Sequence, residues 1–312
     1  MVLTQNWMLP AANAWPFNLR RKKLAKPPMP DWLKVRLKFD TAALVQSASV
    51  REALKSNRIP TVCEEASCPN LGHCWSQGTA TFMIMGTICT RRCGFCDVAT
   101  GRPLPLDPLE PERLARTVQT MGLRHAVITS VDRDELKDCG SMHFARTIAA
   151  VRRLCPDVRL EVLIPDFKGR PDNLERIADA GPDIVNHNLE TVPELFASVC
   201  PQSNYEISLK TLKYFSEKGF LTKSGLIMGL GETVEQIRQA LRDLRSAGVA
   251  MLTIGQYLPP DDRHAPLKEY IAPETFRQLK MEALSMGFGH VEAGPLVRSS
   301  YHAGDAFAHN QP

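Results

Sequence analysis

Six of the nine cysteines in this 312-residue chain fall within 34 residues and form two triplets. The upstream triplet has four and five intervening residues and comprises Cys63, Cys68 and Cys74. The signature triplet has three and two intervening residues and comprises Cys89, Cys93 and Cys96. A thiolate is a soft ligand, and a cubane iron–sulfur cluster takes one thiolate per iron, so three cysteines leave one iron open. Two triplets therefore predict two clusters, each with a fourth position to be filled.

Disulfide bonds and structural zinc fit these clustered cysteines less well than iron–sulfur clusters do. A disulfide framework is usual in short secreted chains, whereas this chain is 44% hydrophobic, has an odd number of cysteines and shows no secretory signal. Structural zinc usually takes paired C-x2-C halves, and neither triplet divides in that way. The three remaining cysteines, Cys139, Cys155 and Cys200, are scattered, and each is expected to be a small buried apolar residue.

The signature triplet, with Phe95 before its last cysteine, resembles the signature of the radical S-adenosylmethionine (SAM) superfamily. Further segments are similar to the lipoyl synthase family within it: CEEASCPN, ATFMIMG, VATGRP, TSVDRDEL, NHNLETV, GLGET and the Arg298-Ser299-Ser300-Tyr301 motif. The similarity extends from about Trp32 to Ala303. The signature triplet alone indicates only the superfamily, whereas the upstream triplet together with the RSSY motif indicates the family.

The resemblance implies two [4Fe–4S] clusters with separate tasks. The cluster on Cys89, Cys93 and Cys96 would bind SAM and, after taking up an electron, cleave it to methionine and a 5′-deoxyadenosyl radical. That radical would take hydrogen from C6 and C8 of an octanoyl chain on a lysine of a carrier protein. The auxiliary cluster on the upstream triplet and Ser300 would donate its sulfides there and be consumed. An alkoxide is a poorer iron ligand than a thiolate, so this corner of the cluster could open.

The resemblance also implies partners and a location. The expected carriers are the E2 subunits of 2-oxoacid dehydrogenases and the glycine cleavage H protein, and the expected electron donor is a flavodoxin or a ferredoxin. A net charge of +4 is too mild for a nucleic-acid-binding protein. The sequence contains no stretch of about 18 apolar residues, so no membrane span is predicted. Free thiols and oxygen-sensitive clusters need a reducing environment, so the predicted location of the protein is the cytoplasm.

Two alternatives remain open from the sequence. One is another radical SAM enzyme, whose second cluster transfers electrons or supplies sulfur to a different substrate. The other is a binding protein that metal ions hold together and that docks on carrier domains. Two cubanes require about eight iron and eight sulfide ions per chain, whereas a zinc-bound binding protein would contain zinc and no sulfide.

Short apolar runs alternate with segments of helical periodicity from Thr81 onward, which predicts βαβ units and a parallel sheet. Six such runs occur, at residues 81–85, 125–131, 159–164, 183–189, 224–230 and 251–258. A closed eight-unit barrel takes about 250 residues, whereas residues 81–293 offer room for six units. The predicted fold is α/β, a partial (β/α)6 barrel of the TIM type that stays open, as the resemblance also implies.

The rest of the chain is arranged around this predicted barrel. Residues 1–30 contain five basic residues and no acidic one, and are predicted to form a basic, flexible arm. Residues 31–80 would be an N-terminal extension that carries the auxiliary-cluster cysteines. Residues 81–293 would form the radical SAM barrel, and residues 294–312 a C-terminal tail with the RSSY motif.

Polar residues and glycines at the carboxyl ends of two predicted strands are expected to contact SAM. Asn188 and Glu190 end the fourth apolar run, and they share a face if the strand continues. Gly229, Gly231 and Glu232 end the fifth run, directly before a capping-box pattern that opens the next helix. The alternative for the first pair is an ordinary polar loop, and for the second group an ordinary glycine turn between a strand and a helix.

Charged residues near the signature triplet allow two interpretations. Arg91 and Arg92 lie between its cysteines, where cations would offset thiolate charge and tune the cluster potential, or they are surface arginines. Asp132, Arg133 and Asp134 follow the second run and are either part of the site or a solvated charge run.

Two departures from the family pattern concern loops. The family's DGGA is Asp138-Cys139-Gly140-Ser141 in this chain, and if position 139 needs a positive φ, cysteine costs on the order of 1 kcal/mol there. The loop after the sixth run contains Pro259-Pro260, where the family is usually more polar.

Overall fold

A computed structural model describes residues 27–34, 41–76 and 81–300 of the chain. Of the predicted basic arm, only residues 27–30 belong to these ranges. Tyr301 of the RSSY motif and the tail beyond it lie outside the described residues.

Seven parallel strands form one sheet, and their order in the sheet is their order in the chain. They are β1 Thr81–Ile84, β2 His125–Ser130, β3 Arg159–Leu163, β4 Ile184–Asn186, β5 Leu221–Met228, β6 Met251–Gln256 and β7 His290–Gly294. Within the described residues the first and last strands do not pair, so the sheet stays open. The predicted α/β partial barrel is confirmed, with one strand more than the six predicted.

The additional strand, β7, escaped prediction because it has no apolar run. Its sequence is HVEAG, and only Val291 is buried, while the other four residues are partly exposed. It pairs with β6 alone and forms an edge of the sheet. An edge strand buries little of its surface, so the apolar pattern that reveals a central parallel strand is missing.

In the described part of the chain, three α-helices precede the sheet: α1 Thr41–Ser56, α2 Val62–Glu65 and α3 Leu71–Ser76. The connections between strands contain α4 Glu110–Thr120, α5 Ser141–Leu154, α6 Pro171–Ala180, α7 Pro193–Val199, α8 Tyr205–Glu217, α9 Val234–Ser246 and α10 Pro273–Ser285. Short 3-10 helices occur at Asp31–Leu33 and Phe167–Gly169. Leu114 on α4, Ile148 on α5 and Leu241 on α9 are fully buried, as the helical periodicity predicted. No helix in the described part of the chain is long and apolar enough to cross a bilayer.

The loop from β5 into α9 is fixed by the predicted capping box. The Thr233 hydroxyl accepts the Gln236 backbone N–H at 3.2 Å, and the Gln236 side-chain oxygen accepts the Thr233 backbone N–H at 2.8 Å. Two backbone N–H groups at the start of the helix are thereby satisfied. The capping box therefore holds the carboxyl end of β5 in place.

The described part of the tail crosses the carboxyl end of β6 and meets the N-terminal helices. The Asn70 side chain donates a hydrogen bond to the Leu296 carbonyl at 2.5 Å. A Cβ atom added to Gly255 on β6 would lie 2.2 Å from the Val297 carbonyl oxygen. Only a residue without a side chain therefore leaves room for the tail at this point.

We expect Gly255→Ala to lower the free energy of unfolding by about 1–3 kcal/mol, because the new methyl group meets a backbone atom that has no rotamer to change. Gly294→Ala is a matched control on the paired residue of β7, where the added Cβ would be 3.5 Å from a Val297 methyl group, an ordinary contact. Urea unfolding of both variants measures the difference. Equal unfolding free energies would show that the tail does not depend on the space at Gly255.

Candidate functional site

A cavity of 590 Å³ lies at the carboxyl ends of the strands. Both cysteine triplets line it, and so do Ser299 and Ser300. All nine cysteines are free thiols. The structure therefore gathers the seven residues predicted to ligate iron around one space.

The arrangement of the thiols suits clusters better than single ions. Among the described residues, no three His, Cys, Asp or Glu side chains are close enough together to hold one metal ion. The cysteines instead surround a space, and a four-iron cubane presents its irons to separate thiolates. The donor set and its spread fit iron–sulfur clusters.

The signature triplet lies on a loop that leaves the end of β1 and closes on itself. The Cys89 backbone N–H donates to the Ala99 carbonyl at 2.8 Å, and the Gly101 N–H donates to the Cys89 carbonyl at 3.0 Å. The Cys96 N–H donates to the Cys93 carbonyl at 3.2 Å, which makes a tight turn between these two cysteines. These bonds fix the three thiols relative to one another.

Arg91, between the first two cysteines of this loop, is buried, with 4% of its side chain exposed. Its guanidinium donates to Asp134 at 2.8 Å and to both carboxylate oxygens of Asp166, at 2.6 and 2.9 Å. Burial acts to raise the pKa of Asp166, but the hydrogen bonds and charge of Arg91 outweigh it and lower that pKa. The surface interpretation is wrong for Arg91, which attaches the signature loop to the ends of β2 and β3. Arg92 is exposed.

We expect Arg91→Met to lower the free energy of unfolding of the metal-free protein by about 3–5 kcal/mol, because it leaves carboxylates without their buried cation. Arg92→Met, the neighbouring change on the same loop, should stay within about 0.5 kcal/mol of the natural protein, since its side chain is exposed. Anaerobic denaturant unfolding of both variants measures the contrast. Similar losses in the two proteins would contradict the role given to Arg91.

The charge run after β2 is largely withdrawn from solvent, and Asp132 within it lines the cavity. The Cys89 thiol lies 3.6 Å from an Asp132 carboxylate oxygen. Arg133 is 3% exposed and donates to the carbonyls of Met85 and Leu104, at 3.0 and 2.9 Å. The solvated interpretation is therefore wrong for this run.

The backbone at Cys139, where the family has glycine, adopts a positive φ. Its φ is 51°, in the left-handed region, and its side chain is buried. A cost on the order of 1 kcal/mol relative to glycine follows for the backbone conformation.

The upstream triplet spans α2, α3 and the turn between them. The Cys68 backbone N–H donates to the Cys63 carbonyl at 3.1 Å. Burial, followed by repulsion from the other two thiols, raises the pKa of Cys74 to about 12. Ser67 donates to the Asp97 carboxylate at 2.6 Å, which joins this segment to the signature loop. The Cys74 thiol, with its raised pKa, therefore keeps its proton unless a cation replaces it.

Asn188 and Glu190 line the cavity, although the regular strand β4 ends before them, and their contact with SAM stays a prediction. The chain continues beside β5, because the Glu190 N–H donates to the Gly225 carbonyl at 2.9 Å and the Ile227 N–H donates to the Glu190 carbonyl at 2.8 Å. Burial raises the pKa of Glu190 to about 7, and a hydrogen bond with Asn188 opposes that shift. An amide and a carboxyl group thus face the same space.

Four buried polar atoms of cavity-lining residues have no hydrogen-bond partner among the described residues: Ser130 Oγ, Asp132 Oδ1, His187 Nε2 and Asn188 Oδ1. Of these, Asp132 Oδ1 has an ion pair with Arg91 at 3.2 Å. Buried polar atoms in folded proteins are nearly always paired. Their presence here fits a polar ligand such as SAM, which would supply the missing partners.

Gly229, Gly231 and Glu232 do not line this cavity. The Glu232 carboxylate accepts the backbone N–H groups of Gly229 and Leu230, at 2.5 and 2.9 Å. Both glycines have positive φ, 104° and 117°, as a sharp turn at this point requires. Their contacts are those of a turn between β5 and α9, and direct contact with SAM remains a prediction for them.

Sequence reasoning missed several residues that line the cavity. Gly225 and Ile227 lie within β5, and Asp166 follows β3. A Cβ atom at Gly225 would be 2.8 Å from the Asn188 side-chain oxygen and 2.9 Å from the Thr253 hydroxyl. A glycine inside an apolar strand run is a signal of such a close approach, and it was available in the sequence.

Comparison with known proteins gives the family. The model of the radical SAM superfamily matches residues 83–244. A lipoyl synthase of Leptospira interrogans is 54% identical over 284 residues, which cover 91% of this chain and 94% of that protein. One from Leptospira biflexa is 55% identical over 280 residues, covering 90% and 91%, and one from Edwardsiella ictaluri is 53% identical over 277 residues, covering 88% and 85%. The chain belongs to the lipoyl synthase family.

Membership in the lipoyl synthase family makes the protein a radical SAM enzyme, which works with a [4Fe–4S] cluster and SAM. The alternative of a binding protein held together by metal ions is therefore wrong. Solved structures agree on the fold. Methylornithine synthase, at 12% identity, gives a TM-score of 0.54 and covers 81% of this chain and 72% of that one. Streptococcus suis SuiB bound to its precursor peptide SuiA, at 15% identity, gives 0.56 and covers 84% and 58%.

Proposed function

We propose that this protein inserts two sulfur atoms, at C6 and C8, into an octanoyl chain attached to a lysine of a carrier protein, and so forms a lipoyl-lysine. The observation that supports the proposal most strongly is that both cysteine triplets and Ser300 line one cavity. A substrate chain in this cavity would meet both sets of ligands at short range. Holding reactants together in this way removes much of the entropic barrier to their reaction.

The proposed ligands of the SAM-binding cluster are Cys89, Cys93 and Cys96. When bound, this cluster and SAM supply the electron transfer and the carbon radical that removes hydrogen from the substrate. Arg91 fixes the loop that carries these thiols, and Asn188 and Glu190 offer an amide and a carboxylate to the polar groups of SAM.

A second group of residues, in the turn after β5, is also proposed to contact SAM. Gly229, Gly231 and Glu232 shape this turn, and the unpartnered atoms of Ser130 and His187 offer further hydrogen bonds in the cavity.

The auxiliary cluster is proposed as the sulfur substrate. The upstream triplet would hold three of its irons, and Ser300 the fourth. Asn70 and Gly255 contact the tail at Leu296 and Val297, and Arg298 separates Val297 from the two serines. An alkoxide ligand binds iron less tightly than a thiolate, so sulfide would leave most readily at the Ser300 corner.

The alkyl part of the substrate needs an apolar surface beside the reacting groups. Leu226, Ile227 and Val297 all line the cavity. Contact with these side chains would keep water from the octanoyl chain. It would also favour an extended octanoyl chain that lies between the two sets of thiols.

The partners and location belong to the same proposal. The carriers are lipoyl domains of 2-oxoacid dehydrogenase E2 subunits and the glycine cleavage H protein, and the electron donor is a flavodoxin or ferredoxin. The cytoplasm is the proposed location, because thiols stay reduced there. We also propose the division into residues 1–30 as a flexible arm, 31–80 as the auxiliary-cluster extension, 81–293 as the barrel and 294–312 as the tail.

The direct test is anaerobic reconstitution with iron and sulfide, followed by reaction with SAM, a reductant and a peptide that contains octanoyl-lysine. Mass spectrometry should show two sulfur atoms in place of two hydrogens. Formation of deoxyadenosine without any sulfur in the peptide, across several octanoylated carriers, would favour another two-cluster radical SAM enzyme with a different substrate.

Alanine variants of the two triplets should fail at different steps. Cys93→Ala should abolish SAM cleavage, because the SAM-binding cluster is lost with its ligand. Cys68→Ala should retain SAM cleavage and lose sulfur insertion, and about four of the eight irons should be missing. Deoxyadenosine and lipoyl product are measured together for both proteins. Lipoyl product from Cys68→Ala would rule out the auxiliary cluster as the source of sulfur.

Ser300→Ala should reduce sulfur insertion steeply, by more than about tenfold, while deoxyadenosine still forms, because the residue acts only on the auxiliary cluster. Iron content should fall only in part, since three thiolates remain. Ser299→Ala is the matched control, because Ser299 is the neighbouring residue, lines the same cavity and is not a proposed iron ligand. A larger defect at Ser299, or equal activity in the two variants, would show that Ser300 is not the ligand.

A further inference from the structure

Met85, the residue directly after β1, has a left-handed backbone conformation that is unfavourable for a residue with a side chain. Its φ is 69°, and its side chain is buried. Such a conformation persists only where the surrounding structure holds it, and it occurs most often at functional sites. Three residues separate Met85 from Cys89, the first cysteine of the signature triplet. The strained position is therefore the point where the signature loop leaves the sheet.

Two buried side chains hold the backbone of Met85, one at each of its polar groups. A Glu110 carboxylate oxygen accepts the Met85 N–H at 2.8 Å, and the Arg133 guanidinium donates to the Met85 carbonyl at 3.0 Å. Glu110 lies in the first turn of α4, and Arg133 follows β2. A Cβ atom added to Gly140 would overlap the Met85 sulfur, so the side chain of Met85 is also closely packed. Met85 is thus held by segments at least 25 residues away in the chain.

His143 orients the side chain of Glu110. Its Nε2 atom lies 2.7 Å from the same Glu110 oxygen that accepts the Met85 N–H, and both side chains are buried. His143 is in the first turn of α5, so this contact joins the starts of α4 and α5 at the end of β1. A buried polar network of this kind restricts its members to one arrangement.

We propose that Glu110, oriented by His143, is a positioning residue for the signature triplet. It keeps Met85 in the left-handed conformation and so fixes the direction in which the signature loop leaves β1. The inference rests on the proposed assignment of the SAM-binding cluster to this triplet. Without the Glu110 oxygen, Met85 would favour an extended or right-handed conformation, and residues 86–88 would leave β1 in another direction.

The signature loop is then held at two points. Arg91 attaches its middle to the segments after β2 and β3, and Glu110 holds its start at the end of β1. The proposed SAM contacts at Asn188 and Glu190 lie on a different part of the sheet, beside β5. A shift of the loop would therefore misalign the two sides of the SAM site, and a misplacement of about 1 Å can slow a reaction on the order of a hundredfold.

The test compares variants of the full-length, anaerobically reconstituted enzyme. Glu110→Leu removes the acceptor of the Met85 N–H, and Glu110→Gln keeps an oxygen at the same place. Leu279→Ala is the control, because Leu279 is fully buried on α10, which packs against β7, and does not line the cavity. Its loss lowers stability at a different place. Deoxyadenosine formation is measured against SAM concentration, and hydrogen exchange with mass spectrometry reports on the backbone of residues 85–96.

In Glu110→Leu, deoxyadenosine formation at saturating SAM should fall more than about tenfold, and hydrogen exchange of residues 85–96 should become more than about tenfold faster. Iron content should stay near that of the natural protein, because every cysteine remains. Glu110→Gln and Leu279→Ala should both stay within about threefold of the natural protein in the two measurements, since each keeps an acceptor for the Met85 N–H.

Three outcomes would overturn the inference. The first is natural deoxyadenosine formation and natural hydrogen exchange in Glu110→Leu. The second is an equal defect in Leu279→Ala, because the effect would then be one of general stability. The third is an equal defect in Glu110→Gln, because acceptance of the hydrogen bond would then not be decisive.

If Glu110→Leu does not fold, His143→Leu takes its place, since it leaves Glu110 but removes the contact that orients it. It should cause the same changes to a smaller extent, and natural behaviour of this variant would overturn the inference. Failure of the cluster assignment is a separate result, because Cys93→Ala would then still cleave SAM.

Discussion

The buried guanidinium of Arg91 is the interaction on which the rest of the site depends. It lies between Cys89 and Cys93 in the chain and binds carboxylates in the segments that follow β2 and β3. The signature loop, these two segments and Ser203 therefore share one charged contact. A guanidinium is the suitable cation here, because its fork of N–H groups can satisfy several oxygens at once and it does not lose its proton. Burial of these charges is unfavourable unless every one is paired, and this requirement makes the arrangement specific.

The same reasoning explains how two sets of thiols can share a cavity. Crowded thiolates repel each other, and burial adds to the cost of their charge, so they favour the protonated state until cations arrive. If the proposed clusters bind to these thiols, binding of iron would release protons and stabilise the folded segments that carry them. The loop bonds of the signature triplet and the Ser67–Asp97 contact hold the thiols in place before that happens.

Local chemistry could be predicted from the sequence, and contacts between distant segments could not. Cysteine spacing and the capping box at Thr233 depend on neighbours within a few residues, so their patterns are visible in the chain. The ion pair that buries Arg91 involves Asp166, which is 75 residues away in the chain. The edge strand β7 lacked a pattern because it buries so little surface.

Two glycines on the strands shape the cavity by leaving space for other segments. Gly225 on β5 leaves room for the Asn188 amide, and Gly255 on β6 leaves room for the Val297 carbonyl. Each glycine gives up side-chain packing on its strand and lets another segment approach the sheet closely. The cavity is therefore shaped as much by the absence of two side chains as by the groups that line it, and a methyl group at either position would displace a segment that carries the site.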